Sequence, residues 1–150
     1  MRGPVSPFSS EAVVPYPSPA ANMRDVQCKE YVSSRDPERA LQDPQVARIF
    51  RHYIDNLAGW YDLNDRNRHF EDVVPIRARE NPLLLSAILA FSAASKHYSH
   101  PGDRLLEVAE FYHLESVRRL IALMENLHKL PIGETLAAIC LLRSYEIISR

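Results

Sequence analysis

The chain has 150 residues, 46% of them hydrophobic and 25% charged, with 18 Lys and Arg against 19 Asp and Glu for a formal net charge of −1. That length suits one folded unit with a real core, and the composition excludes a fibrous or wholly disordered chain. Bases scattered among acids make the segment a poor electrostatic binder of nucleic acid, and two cysteines, Cys28 and Cys140, are too few for a disulfide framework and suit a reducing compartment.

Residues 1–42 carry six of the eleven prolines, and the run Val13-Val14-Pro15-Tyr16-Pro17-Ser18-Pro19 cannot be helical. This segment is predicted to be a disordered, proline-rich tail or linker. Pro4 and Pro7 interrupt residues 1–14, which hold no apolar run long enough for a secretory signal. Ser6-Pro7 and Ser18-Pro19 have the form of proline-directed phosphorylation sites, although dipeptides this short recur by chance.

A partial helical regulatory domain is predicted over residues 43–150. Asp43-Pro44 pairs a capping side chain with proline at the first helical position. Val46, Ile49, Phe50, Tyr53, Ile54 and Leu57 then recur at steps of three and four, leaving Arg48, Arg51 and Asp55 outward. This helix is predicted to end near Gly59. A short helix is expected over residues 69–74, interrupted by Pro75. Asn81-Pro82 repeats the start signal, and residues 83–94 are apolar nearly all round, which predicts a central helix enclosed by others. As a helix the apolar stretch from Pro82 to Ala94 spans about 20 Å, short of the ~30 Å bilayer core, so no membrane partner is predicted.

Pro101-Gly102-Asp103 reads as a turn ending in a cap. Leu106, Ala109, Val117, Leu120, Met124 and Leu127 continue a helical stripe for about six turns, until Leu130-Pro131-Ile132-Gly133 breaks it. A last helix from about Glu134 carries seven consecutive apolar residues, 136–142, then Tyr145, Ile147 and Ile148. No cap follows, and these last side chains have little left to pack against, which predicts a truncated fragment. The expected fold is all-α, an irregular helical array incomplete at the C-terminus.

No catalytic centre emerges. Glu110 with His113 and Glu125 with His128 mimic a di-iron motif, but on one helix they would stand about 22 Å apart, whereas a shared site needs facing helices. His97 and His100 fall short of a tetrahedral metal site. Asp62, Asn64 and Asp65 lack a calcium loop's glycine and place Val73 where its glutamate belongs. No catalytic, metal-binding or DNA-binding residue is assigned. Two groups remain: a mixed-charge patch of Asp62, Asp65, Arg68, His69 and Glu71, either a partner site or a salt-bridge network; and Phe91, Phe111, Tyr112 and Tyr145, whose helical spacing suits core packing and which would line an apolar pocket only if they converged.

The ordered set Trp60-Tyr61-Asp62-Leu63-Asn64-Asp65, Arg68-His69-Phe70, Asn81-Pro82-Leu83-Leu84-Leu85, residues 87–93, Tyr112-His113 and residues 133–138 resembles the fungal-specific transcription factor domain, the helical middle region of binuclear zinc-cluster regulators. The resemblance covers roughly residues 43–150. It implies a nuclear regulator of RNA polymerase II transcription, not an enzyme, whose protein partners or small-molecule effector are unknown. Family members reach DNA through an N-terminal six-cysteine zinc cluster. Two cysteines cannot ligate one, so no cofactor is expected in this chain, and zinc and DNA contact are expected only of a full-length member. The alternative expectation is a stand-alone helical protein-interaction scaffold.

Overall fold

Side-chain caps start two of the helices where the sequence places them. The Asp43 carboxylate accepts the amides of Gln45 and Val46 at 3.0 and 3.1 Å, and Asn81 Oδ1 accepts that of Leu84 at 3.0 Å. Each satisfies amides that the first helical turn leaves without partners. The computed structural model describes residues 31–63, 66–101, 104–126, 128 and 131–150. The chain divides into two units, Met1–Tyr31 and Val32–Arg150, and the described helices all belong to the second.

In chain order these are α1 (Pro37–Ala40), α2 (Pro44–His52), a π-helical turn (Tyr53–Leu57), α3 (Ala58–Tyr61), a second π-helical turn (His69–Val73), α4 (Val74–Ala78), α5 (Pro82–Ser99), α6 (Leu105–Met124) and α7 (Ile132–Ile148). No strand occurs among the described residues, and none of their helices is long and apolar enough to cross a membrane. The all-α expectation holds.

α5 is the axis of the fold. All twelve residues from Leu83 to Ala94 are buried, and α2, α4, α6 and α7 pack around them. Side-chain size explains how one helix accepts so many neighbours: Ser86, Ala87, Ala90, Ser92, Ala93 and Ala94 alternate with Leu83, Leu84, Leu85, Ile88, Leu89 and Phe91, so helices approach closely at the small positions while the large ones fill the spaces between. The serines satisfy their hydroxyls across these contacts. Ser92 Oγ donates to the Ile49 carbonyl of α2 at 2.6 Å, and the hydroxyls of Ser86 and Ser116 lie 2.8 Å apart between α5 and α6.

Several boundaries differ from expectation. The ordered unit begins before Asp43. Asp36 accepts the Arg39 amide and starts α1, while Ser34, fully buried, gives both its amide (2.9 Å) and its hydroxyl (3.0 Å) to Glu115 Oε1 on α6. Tyr112 Oη adds a bond to the Val32 carbonyl at 2.6 Å. These long-range polar contacts, which no local pattern announces, tie residues 32–42 to the helices; the rest of the predicted tail, residues 1–30, lies outside the described residues. Gly59 does not end a helix. It lies within α3, where an added Cβ would stand 2.9 Å from Glu71 Oε1. Pro75 does not interrupt one either, since it occupies the first turn of α4, where proline costs no hydrogen bond.

On α6 the buried face is Leu105, Val108, Ala109, Tyr112 and Ser116; of the predicted stripe Ala109 is buried and Val117 and Leu120 are half-buried, while Leu106 and Met124 point outward. The tyrosine and serine that face inward bring hydrogen bonds with them, so apolarity alone misjudged the face. Asp103 and Leu127 lie outside the described residues. α7 starts at Ile132, two residues before expectation, and closes at Ser149, whose hydroxyl donates to the Tyr145 carbonyl at 2.6 Å.

Leu89 has no exposed surface. Leu89→Ala should therefore lower the unfolding free energy by about 2–5 kcal/mol in urea titration followed by circular dichroism.

Candidate functional site

The mixed-charge patch resolves into a bracket that holds an irregular segment in place. Asp62, buried, directs its carboxylate at the start of the second π-helical turn, accepting the amides of Phe70 at 3.0 Å and Glu71 at 2.7 Å. It acts as a cap supplied from a distance. Arg68 just before the turn is in the left-handed conformation, with φ 51°, and its guanidinium pairs with Glu71. A non-glycine residue there costs on the order of 1–2 kcal/mol, which the surrounding hydrogen bonds must offset.

Phe70 is gripped from several sides. Its carbonyl accepts the Tyr53 hydroxyl at 3.0 Å, and its ring stacks on Tyr61 at a centroid distance of 4.4 Å. Burial raises the pKa of both tyrosines, so they remain neutral donors. Tyr61 Oη meets Ser144 and, at 3.4 Å, the Cys140 carbonyl, which joins the segment to α7. His69 begins the turn. Asp65, the fifth residue of the predicted patch, lies outside the described residues.

The bracket shapes one wall of an apolar groove. Phe70, Val73, Val74 and Leu84 face Leu136, Ala137 and Cys140 of α7 across a volume of about 600 Å³, with His69, Arg77, Gly133 and Glu134 completing its lining. Arg77 Nη1 and Glu134 Oε1 pair at 3.2 Å, linking α4 to α7. Next to the groove α7 leaves Ile132, Leu136 and Ile139 in solvent, 68%, 58% and 44% exposed. A volume of that order, largely apolar with a few charged groups, has the character of a binding surface.

The four aromatic residues read as either core or pocket lining make ring contacts on and between the helices. Phe91, buried on α5, meets the edge of Tyr61; Phe111 and Tyr112 sit edge to face on α6; and Tyr145 stacks on His113 at 4.5 Å. None of the four lines the apolar groove. Their stacking joins α6 to α7 and α3 to α5.

His113 is a stacking partner, and α6 ends at Met124, so Glu125 lies past the helix expected to carry it. Among the described residues no group of three or more His, Cys, Asp or Glu could hold a metal ion.

Residues 48–150 match the family model of the fungal specific transcription factor domain. The chain belongs to this family. No curated protein and no solved structure matches it. As a fungal specific transcription factor domain the chain is a member of a family of transcription regulators. Most residues that carried the resemblance prove to be structural: Asp62 caps, Phe70 is clamped, and Leu83–Leu85 with residues 87–91 form the enclosed helix. Trp60 is different, being 72% exposed.

Sequence reasoning passed over a second groove in this domain. Arg48, Arg51, His52, Asp55 and Asn56, together with Lys96 on α5, line an open basic hollow of about 480 Å³. The outward placement of Arg48, Arg51 and Asp55 was legible from helical spacing, whereas the arrival of Lys96 from α5 was not. Burial, then the charges of Lys96 and His100, lower the pKa of His52, while Asp55 opposes them more weakly.

Asp62→Ala strands two amides at the turn and should lower the unfolding free energy by about 1–3 kcal/mol, read by denaturant titration. Because the folded pKa of His52 lies below its unfolded value of 6.5, its contribution to stability is complete above pH 6.5 and is lost as pH falls through the folded pKa. His52→Gln should flatten that part of a curve of melting temperature against pH.

Proposed function

We propose that this chain is part of the helical regulatory region of a nuclear regulator of RNA polymerase II transcription, and that it works through protein contacts at the apolar groove and the adjoining face of α7. One observation carries the reading: in a member of a transcription-regulator family, Leu136 belongs both to the groove and to a run of exposed apolar residues, Ile132, Leu136 and Ile139. Side chains of this kind stabilise an association by about 1.5–3 kcal/mol each when fully covered, so a continuous strip of them suits a protein partner. A small-molecule effector seated in the groove is the narrower version of the same idea.

On this reading DNA is reached through a zinc cluster that these 150 residues, with two cysteines, do not supply, and the chain itself needs no cofactor. A second reading, a helical interaction scaffold that never works on DNA, draws on the way residues 32–34 close over α6 through Ser34, Glu115 and Tyr112.

A reporter experiment separates them. With the chain joined to a heterologous DNA-binding module, the regulator reading expects a change in reporter transcription that Leu136→Glu abolishes while helicity by circular dichroism stays unchanged. Reporter output equal to that of the module alone, for a chain that elutes as a monomer and melts in one sharp cooperative step, would favour the scaffold.

A further inference from the structure

Among the described residues, Arg68, Arg77, Arg104, Arg119 and Arg143 each pair with a glutamate. Arg48, Arg51 and Lys96 make no ion pair among the described residues, yet all three line one hollow between α2 and the C-terminal part of α5. Three cations against the single carboxylate of Asp55 leave a local surplus of two positive charges in a chain whose formal net charge is −1. Charges brought together without partners repel one another, and a bound anion relieves that repulsion.

Ser92 Oγ bonds the Ile49 carbonyl at 2.6 Å, locking α2 against α5 one turn before Lys96, so the cations come from two elements whose relative position is set by the core. His52 occupies the wall between them. Its Nδ1 meets Asn56 Nδ2 at 3.1 Å, and its Nε2 is buried without a hydrogen-bond partner. Burial first, and then the charges of Lys96 and His100, hold the pKa of this imidazole below its ordinary value.

We propose that this hollow binds a small phosphate ester, with Arg48, Arg51 and Lys96 holding its dianionic phosphate. Guanidinium forks match phosphate oxygens with paired hydrogen bonds, and an ammonium adds a point charge. A volume of about 480 Å³ leaves room for an organic portion beside the phosphate. A nucleic-acid duplex is a poorer fit, because it needs an extended basic stripe, and this surplus of two charges is confined to one concave site. Asp55 sets a limit on affinity by repelling the same ligand.

The test uses the full 150-residue chain and inorganic phosphate as probe, following the His52 ring signals by NMR at constant ionic strength. The expected result is a saturable shift with phosphate but not with chloride, and a rise in the His52 pKa when phosphate is bound. Arg51→Gln and Lys96→Gln should each weaken binding about tenfold with helicity unchanged. Asp55→Asn should tighten it, a gain that misfolding cannot imitate. A shift that grows linearly and equally with chloride would overturn the proposal, as would affinity indifferent to Asp55→Asn. A short duplex DNA that displaces phosphate and binds more tightly would also overturn it, making the surface a nucleic-acid contact instead.

Discussion

The enclosure of α5 is the constraint to which the other helices answer. A helix buried from Leu83 to Ala94 cannot present one face to the core and another to water; it must be surrounded, and every helix that surrounds it must offer a complementary strip. α2 supplies Val46, Ile49 and Phe50, α6 supplies Leu105, Val108, Ala109 and Tyr112, and α7 supplies Ala138, Leu141 and Leu142. Buried serines on α5 add direction to this packing: an apolar contact tolerates sliding, but the bond from Ser92 to the Ile49 carbonyl and the meeting of Ser86 with Ser116 admit one register.

Function, in this arrangement, falls to what the axis leaves uncovered. α7 buries one side against α5 and leaves Ile132, Leu136 and Ile139 facing outward beside a groove whose far wall is the irregular segment 69–74. That segment is itself a π-helical turn, entered through a left-handed Arg68 and capped remotely by Asp62. Irregular backbone held by specific polar contacts is costly to maintain, and it places Phe70, Val73 and Val74 opposite α7. The basic hollow lies elsewhere, against the C-terminal part of α5, so the same helix organises two chemically different surfaces, one apolar and one cationic.

Much of the fold was legible because its signals are local. Asp43-Pro44 and Asn81-Pro82 each combine a capping acceptor with a residue preset for the first turn, and both starts stand where they were read. The misreadings share a cause. Gly59 and Pro75 carry the right residue types for a helix end, but their roles depend on Glu71 approaching one and on the first turn of α4 accommodating the other. On α6 the apolar count favoured Leu106 and Met124, whereas Tyr112 and Ser116 occupy the interior because partners at Val32 and Ser86 wait for them. Of the candidate site residues, Asp62, Arg68 and Glu71 do lie together, as a charge-dense stretch of sequence suggests; of the four aromatics, Phe111 and Tyr112 touch each other, while Phe91 meets Tyr61 and Tyr145 meets His113.

The sequence by itself determined that the chain is helical, that residues 83–94 are its centre, and that it belongs with the fungal specific transcription factor domains, since periodicity, caps and ordered motifs act over a few residues and survive without coordinates. Only the tertiary structure decided that Ser34 closes over Glu115, that Asp62 caps a turn eight residues away, that a groove opens between residues 70–74 and α7, and that Lys96 joins Arg48 and Arg51. Those outcomes depend on which helix faces meet, and the packing of all the helices around α5 selects those faces together.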